Sequence, residues 1–313
     1  MLVGGFSAVL GHLPARLVEW GCVAVGEAWY RAAPARAAIA RGNLAHIVER
    51  LAAEGRGSEQ ARAAAGDPAA LERLVRASFG HAARTYAETF RVRTIARNID
   101  RHIVVDDAGA VDAVFAAGGP VVYATLHLGS MAVVSLVLAR RSRVPVTAPM
   151  ETIDDPELQR VLLRARTIPG LRVVGLAEAR RELRAALARG EGAGLVADRD
   201  ISGGGVAVPL FGLPASLPIG PAYLALEAGA PLHVAVARRT ERGGFRGSLI
   251  TLPHPPLDLP HRARIEALLA AEARAFEDLV AAAPEQWWTV FYPIWDEVGP
   301  RPRSTKPAPG PAR

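Results

Sequence analysis

The chain has 313 residues, 50% hydrophobic and 22% charged, as expected of a soluble globular protein with material for a sizeable core. A single cysteine, Cys22, excludes an internal disulfide and any cysteine-based metal cluster. No long uninterrupted apolar run reads as a spanning helix, and neither the basic start nor the cleavage site of a signal peptide is present, so the expected compartment is the cytoplasmic side of a membrane. The formal net charge is +6, carried almost wholly by arginine. Few aromatics interleave with those arginines and no nucleic-acid motif appears. The expected anionic partner is therefore a lipid surface and not a nucleic acid.

Residues 2–30 are apolar but broken by glycines and Pro14, which predicts two helices joined near that proline. Trp20, Trp29 and Tyr30 suit either a membrane interface or a cap over the core. A helical run carrying Arg31, Arg36 and Arg41 follows, ending near Asn43, with its charges placed to meet lipid headgroups. Residues 53–68 read as a loop. Asp67-Pro68 then opens a helix whose buried face is Leu71, Leu74, Val75, Phe79, Ala82, Tyr86 and Phe90.

From about residue 103 short apolar strands alternate with helices, the pattern of a βαβ sheet. Strands are predicted over 103–105, 121–126, 144–149, 173–174 and 193–197, with helices over 110–117, 131–140, 156–166 and 178–189. Gly203-Gly204-Gly205 reads as a plain turn into a strand over 206–211, because no strand–glycine–helix fingerprint surrounds it. Pro218-Ile219-Gly220-Pro221 opens a helix over 222–228. A hairpin over 232–237 and 245–252 precedes a long helix over 262–283, and the aromatic stretch from Trp287 to Trp295 follows. The expected class is α/β, with a mixed, mostly parallel central sheet flanked by helices. Residues 1–100 form an N-terminal helical region packed on a core over 101–297, in one domain overall. Residues 298–313 are expected to be a disordered tail.

Three predicted strands deliver polar residues at their carboxyl ends: His127, Glu151, and Asp198 with Asp200. Ligands of open α/β sheets gather at such ends. Taken alone, His127 reads better as a core histidine at a strand end.

Several ordered stretches carry a resemblance. These are Thr125-Leu126-His127-Leu128-Gly129-Ser130, residues 186–200 ending in Ala-Asp-Arg-Asp, Val208-Pro209-Leu210-Phe211-Gly212, residues 218–225, and Ala283-Pro284-Glu285-Gln286-Trp287-Trp288. Together they resemble the bacterial lipid A biosynthesis lauroyl/myristoyl acyltransferase family, including its phosphatidylinositol mannoside acyltransferases. The resemblance implies a glycerol-phosphate acyltransferase-like fold. It further implies acyl transfer from acyl-CoA or acyl-carrier protein, as co-substrate, to a hydroxyl of a membrane glycolipid at the cytoplasmic face, by a peripheral enzyme without metal or other cofactor. A phosphatidylinositol mannoside is the first guess for acceptor. His127 would be the general base, supported by a carboxylate that orients and stabilises the ring. The family motif is His, four residues, then Asp or Glu, which puts the acid where this chain has Ala132. Glu151, Asp198 and Asp200 are the candidates to replace it, with Glu151 or Asp200 preferred. Arg164, Arg166, Asp198 and Arg199 would contact substrate. The departure at Ala132 leaves two other readings open: a catalytically impaired lipid- or donor-binding relative, and a thioesterase.

Overall fold

The first hundred residues carry helical rather than alternating apolar spacing. They are helical in the computed structural model, which describes residues 13–151, 155–201 and 203–299. α1 (Ala15–Ala32), α2 (Pro34–Ala53), α3 (Glu59–Ala64), α4 (Pro68–Ala96) and α5 (Ile99–His102) follow one another with short joints. Pro34 occupies the first turn of α2, and Asp67 caps α4 by accepting from the Ala69 N–H at 2.9 Å. Most of the first helix expected before Pro14 lies outside the described residues. The segment expected to be a loop contains α3, because Ser58 caps it through the Ala61 N–H at 3.1 Å while Ala61 and Ala64 are buried. α1 crosses α4 closely enough that a Cβ on Gly26 would lie 2.5 Å from the Gly80 nitrogen. Trp29 packs on Phe79 and Phe291, so it serves the core. Trp20 stays 70% exposed beside exposed Leu17, Val23 and Val25.

The remainder alternates as expected: β1 (Ile103–Val105), α6 (Ala108–Ala117), β2 (Val121–Thr125), α7 (Met131–Arg141), β3 (Val146–Met150), α8 (Pro156–Arg166), β4 (Leu171–Gly175), α9 (Ala179–Ala188) and β5 (Gly192–Val196). Then come β6 (Val206–Leu210), β7 (Leu213–Leu217), α10 (Gly220–Ala228), β8 (Leu232–Arg239), β9 (Phe245–Thr251) and α11 (His261–Ala281). The seven-stranded sheet has the order β1-β9-β8-β2-β5-β3-β4, and its pairs are parallel except β8 with β9. β6 and β7 form a separate antiparallel hairpin. Its second strand was not anticipated, because Pro214 and Ser216 interrupt the apolar pattern of a short segment. The expected tail falls mostly beyond residue 299, outside the described residues.

β2 lies centrally and every one of its residues is buried. The order of connection reverses about it, with β5 on one side and β8 on the other, which opens a crevice beyond its carboxyl end. One apolar core, including Leu44, Phe79, Phe276 and Trp287, fills the side of the sheet that α2, α4, α10 and α11 cover. The second, smaller core lies under α6 and α7.

Within the larger core, Glu272 on α11 is fully buried and neither of its carboxyl oxygens has a hydrogen-bond partner. Burial first, and then the negative charge of Asp198, push its pKa up from 4.5 to about 8. Glu272 therefore binds a proton on folding at neutral pH. Its part in stability is intact below about pH 4.5 and declines as pH rises toward 8. Glu272→Gln keeps the shape and removes this titration. Thermal unfolding of the native chain should fall in midpoint by several degrees between pH 5 and 8, and that of the variant by clearly less; equal slopes would show that Glu272 does not bind this proton.

Candidate active site

β2 and β5 run parallel with Thr125 opposite Val196, and the ladder continues through the Ala197 N–H to the Thr125 carbonyl at 2.8 Å. Carried two residues further, this register sets His127 beside Asp198. There the backbone pairing gives way to a side chain. The His127 N–H donates to Asp198 Oδ2 at 2.9 Å, and His127 Nδ1 meets Asp198 Oδ1 at 2.8 Å. Trp287 Nε1 and Thr289 Oγ1 also donate to Oδ2, at 2.8 and 2.7 Å. The Asp198 side chain has no solvent exposure, whereas that of His127 keeps 18%. Burial alone would raise the Asp198 pKa. The imidazole charge and the donors from His127, Thr289 and Trp287 overcome that and hold it down at about 2. Asp198 is thus an ionised, acceptor-only group at neutral pH. The proton between the pair belongs on Nδ1, which faces the carboxylate, so Nε2 is the nitrogen turned away from Asp198.

The loop after His127 is fixed from both sides. Trp288 N–H donates to the His127 carbonyl at 2.8 Å, Gly129 N–H to the Gln286 carbonyl at 3.1 Å, and Ser130 N–H to the Ala237 carbonyl at 2.8 Å. Gly129 has φ +66°, and a Cβ there would fall 2.2 Å from the Ala237 oxygen, so the turn accepts only glycine. Ser130 Oγ caps α7 by accepting from the Val133 N–H at 3.3 Å. The Gln286 side chain in turn exchanges hydrogen bonds with the Arg239 backbone at 2.8 and 3.0 Å. The Arg239 guanidinium, 7% exposed, is held by Glu88 on α4 at 2.6 Å.

The expected contact of Glu151 or Asp200 with His127 is not made. Glu151 follows β3, one strand beyond β5, and is exposed; its charge acts on Arg166. Asp200 accepts from the N–H groups of Gly203, Gly204 and Gly205 at 2.8, 3.2 and 2.9 Å, and from Ser216 Oγ at 2.9 Å. It closes the glycine turn onto β7, two residues too far along the chain to share the register of His127. Asp198, expected to contact substrate, is sealed from it and faces the imidazole. Arg164 and Arg166 lie exposed in the last turn of α8. Arg199 lies over the Tyr292 ring, 3.7 Å from its centroid. Ala132 packs against the smaller core. Thr289 was not singled out in the sequence, where a lone threonine in an aromatic run carries no signal.

Around the exposed edge of His127 stands an aromatic wall. Trp288 meets the imidazole edge-on at 5.3 Å between ring centroids, and Tyr86 and Tyr292 flank Trp288 at 5.9 and 6.1 Å. Among the described residues no group of three or more His, Cys, Asp or Glu is placed to hold a metal ion.

The family model described as bacterial lipid A biosynthesis acyltransferase matches residues 1–295. The chain belongs to this family. A phosphatidylinositol mannoside acyltransferase of Mycobacterium tuberculosis is 31% identical over 239 residues, covering 73% of this chain and 72% of that protein. A namesake from Mycolicibacterium smegmatis is 29% identical over 258 residues, covering 79% and 82%. Acyl transfer is thus the family activity, and an imidazole backed by an ionised carboxylate suits the deprotonation of a hydroxyl nucleophile.

If Asp198 is the acid that orients this acyltransferase's imidazole, Asp198→Asn should lower kcat by on the order of 10³–10⁴ while the fold, followed by circular dichroism, survives. Ala132→Asp should then give no gain, because Nδ1 is already occupied, and should lower the unfolding midpoint by placing a charge against packed apolar side chains. A gain in kcat for Ala132→Asp would return the supporting role to position 132.

Proposed function

We propose that the chain moves a fatty acyl group from the thioester of acyl-CoA or acyl-carrier protein to a hydroxyl of a membrane glycolipid. His127 is the general base and Asp198 its positioning acid. The observation that carries this reading is the Nδ1 contact with a buried, ionised carboxylate on a ring that keeps an exposed edge beside an aromatic wall. The acceptor oxygen attacks the thioester carbonyl carbon as its proton passes to His127 Nε2. Asp198 stabilises the imidazolium so formed. Collapse of the tetrahedral intermediate breaks the carbon–sulfur bond, and the proton on Nε2 passes to the departing thiolate, leaving an ester and a free thiol. The amino end of α7, capped by Ser130 three residues after His127, favours the negative oxygen of that intermediate. Arg164 and Arg166 are assigned to phosphates of the donor. No resident cofactor is required.

The names of the mycobacterial relatives support a phosphatidylinositol mannoside-like acceptor. Among the described residues no helix is long and apolar enough to cross a membrane. The exposed Leu17, Trp20 and Val23 on α1 support a peripheral seat on the cytoplasmic face, with an excess of arginine to attract anionic lipid. Trp20→Ser combined with Val23→Ser should reduce co-sedimentation with phosphatidylglycerol vesicles several-fold without moving the unfolding midpoint; unchanged binding would dismiss α1 as the membrane face.

The reaction is tested by thiol release from acyl-CoA, with and without a glycolipid extract. Release should require the extract, and His127→Ala should abolish it. Release without acceptor would indicate a thioesterase, and equal rates for the native chain and His127→Ala would indicate a binding protein.

A further inference from the structure

Beyond the imidazole, the aromatic wall ends at Tyr292, whose ring two guanidiniums approach. Arg199 lies 3.7 Å and Arg36 5.5 Å from the centroid of this one ring. Each contact is favourable, yet two like charges gathered on one ring repel each other. Among the described residues neither guanidinium is ion-paired. Their neighbours differ: Arg31 pairs with Glu27 at 2.7 Å and Arg41 with Glu72 at 2.8 Å. Arg36 also stands in the first turn of α2, whose amino end has no side-chain cap and no acidic residue, so the helix adds positive potential at the same place.

This grouping is built into the frame of the catalytic pair. Arg199 directly follows Asp198. Asn43, seven residues beyond Arg36 and so on the same face of α2, is fully buried and donates to the carbonyls of Val290 and Tyr292 at 2.8 and 2.7 Å. Trp288 joins the rings of Tyr292 and His127. An anion held here would sit one aromatic side chain away from the base.

We propose that Arg36 and Arg199, presented on Tyr292, form a clamp for a substrate phosphate. The inference deepens the acyl-transfer reading and rests on it. Forked guanidinium donors match phosphate oxygens, and a phosphate bound by both offsets the repulsion of their like charges. Two sources share this chemistry: the phosphodiester of a phospholipid acceptor, and the phosphates of coenzyme A or phosphopantetheine. In the acceptor, a sugar would span the gap between the clamped phosphate and the hydroxyl presented to His127.

The test compares Arg36→Gln and Arg199→Gln with their lysine counterparts and with Arg189→Gln, which removes an equal charge, paired with Glu191 at 2.7 Å, outside the clamp. Unfolding midpoints establish that each variant is folded. Each glutamine variant should raise one KM by about tenfold or more, the effect of losing a charged hydrogen bond. Lysine should restore part of the loss, and Arg189→Gln should leave both KM values unchanged. A rise confined to the glycolipid assigns the clamp to the acceptor, and one confined to acyl-CoA assigns it to the donor. Calorimetric titration with glycerophosphoinositol and with coenzyme A reads the clamp without turnover. Loss of either interaction in the glutamine variants supports the clamp even if no acyl transfer is found. Unchanged KM values together with unchanged titrations overturn it.

Discussion

A carboxylate driven between two strand ends organises this protein. Where β2 and β5 stop exchanging backbone hydrogen bonds, Asp198 receives the His127 N–H, the imidazole and two further donors from the segment after α11. An isolated buried carboxylate is prohibitively costly, but one whose lone pairs are filled by four donors, one of them able to carry positive charge, is tolerable and rigid. The cost explains the company it keeps. Trp287 is fully buried and Thr289 nearly so, and their polar atoms turn to the same oxygen. Any of the four donors lost would leave charge uncompensated in a site that water does not reach.

That requirement spreads outward through the fold. Trp287 and Thr289 reach Asp198 only if their segment is held, and Asn43 of α2 anchors it from one side through two carbonyls. Gln286 anchors it from the other through Arg239, whose guanidinium is locked to Glu88 of α4. The amino-terminal helices are therefore part of the site's foundation as well as a cover for the sheet. Glu272 shows what the same core does to a carboxyl group without donors. Burial raises its pKa to about 8, while the donors around Asp198 hold that residue at about 2. Two acids in one core are driven to opposite protonation states by their hydrogen bonds.

Most of the sheet was legible because buried strands and amphipathic helices leave different periodicities in sequence. The run before His127, the long helix after Asp67-Pro68 and the hairpin over 232–252 all declared themselves in that way. β7 did not, since a five-residue edge strand with a proline and a serine has no periodicity to speak of. α3 was masked by the glycines and charges around it. His127 was legible from its place at a strand end together with the family resemblance. Its partner was not, because the choice among Glu151, Asp198 and Asp200 depends on strand order and register. β5 lies beside β2 and β3 does not, and a register offset that pairs Thr125 with Val196 selects position 198 over 200. The convergence of Arg36 and Arg199 on Tyr292 joins three distant parts of the chain, and no local pattern announces it.

The absence of an acid at position 132 then has a physical account. An imidazole needs a carboxylate at a particular place in space, and spacing along the chain is only one way to put it there. A helix following the histidine can bring an acid back toward Nδ1 from its first turn. So can the adjacent parallel strand, because parallel pairing sets residues at the ends of neighbouring strands side by side. In this chain the strand has the nitrogen, and the carboxylate is fixed by its ladder as well as by Trp287 and Thr289. A second acid from the helix would bring a like charge to an occupied site and raise the pKa of one of the two. Alanine at position 132 avoids that conflict and lets α7 seat against the smaller core.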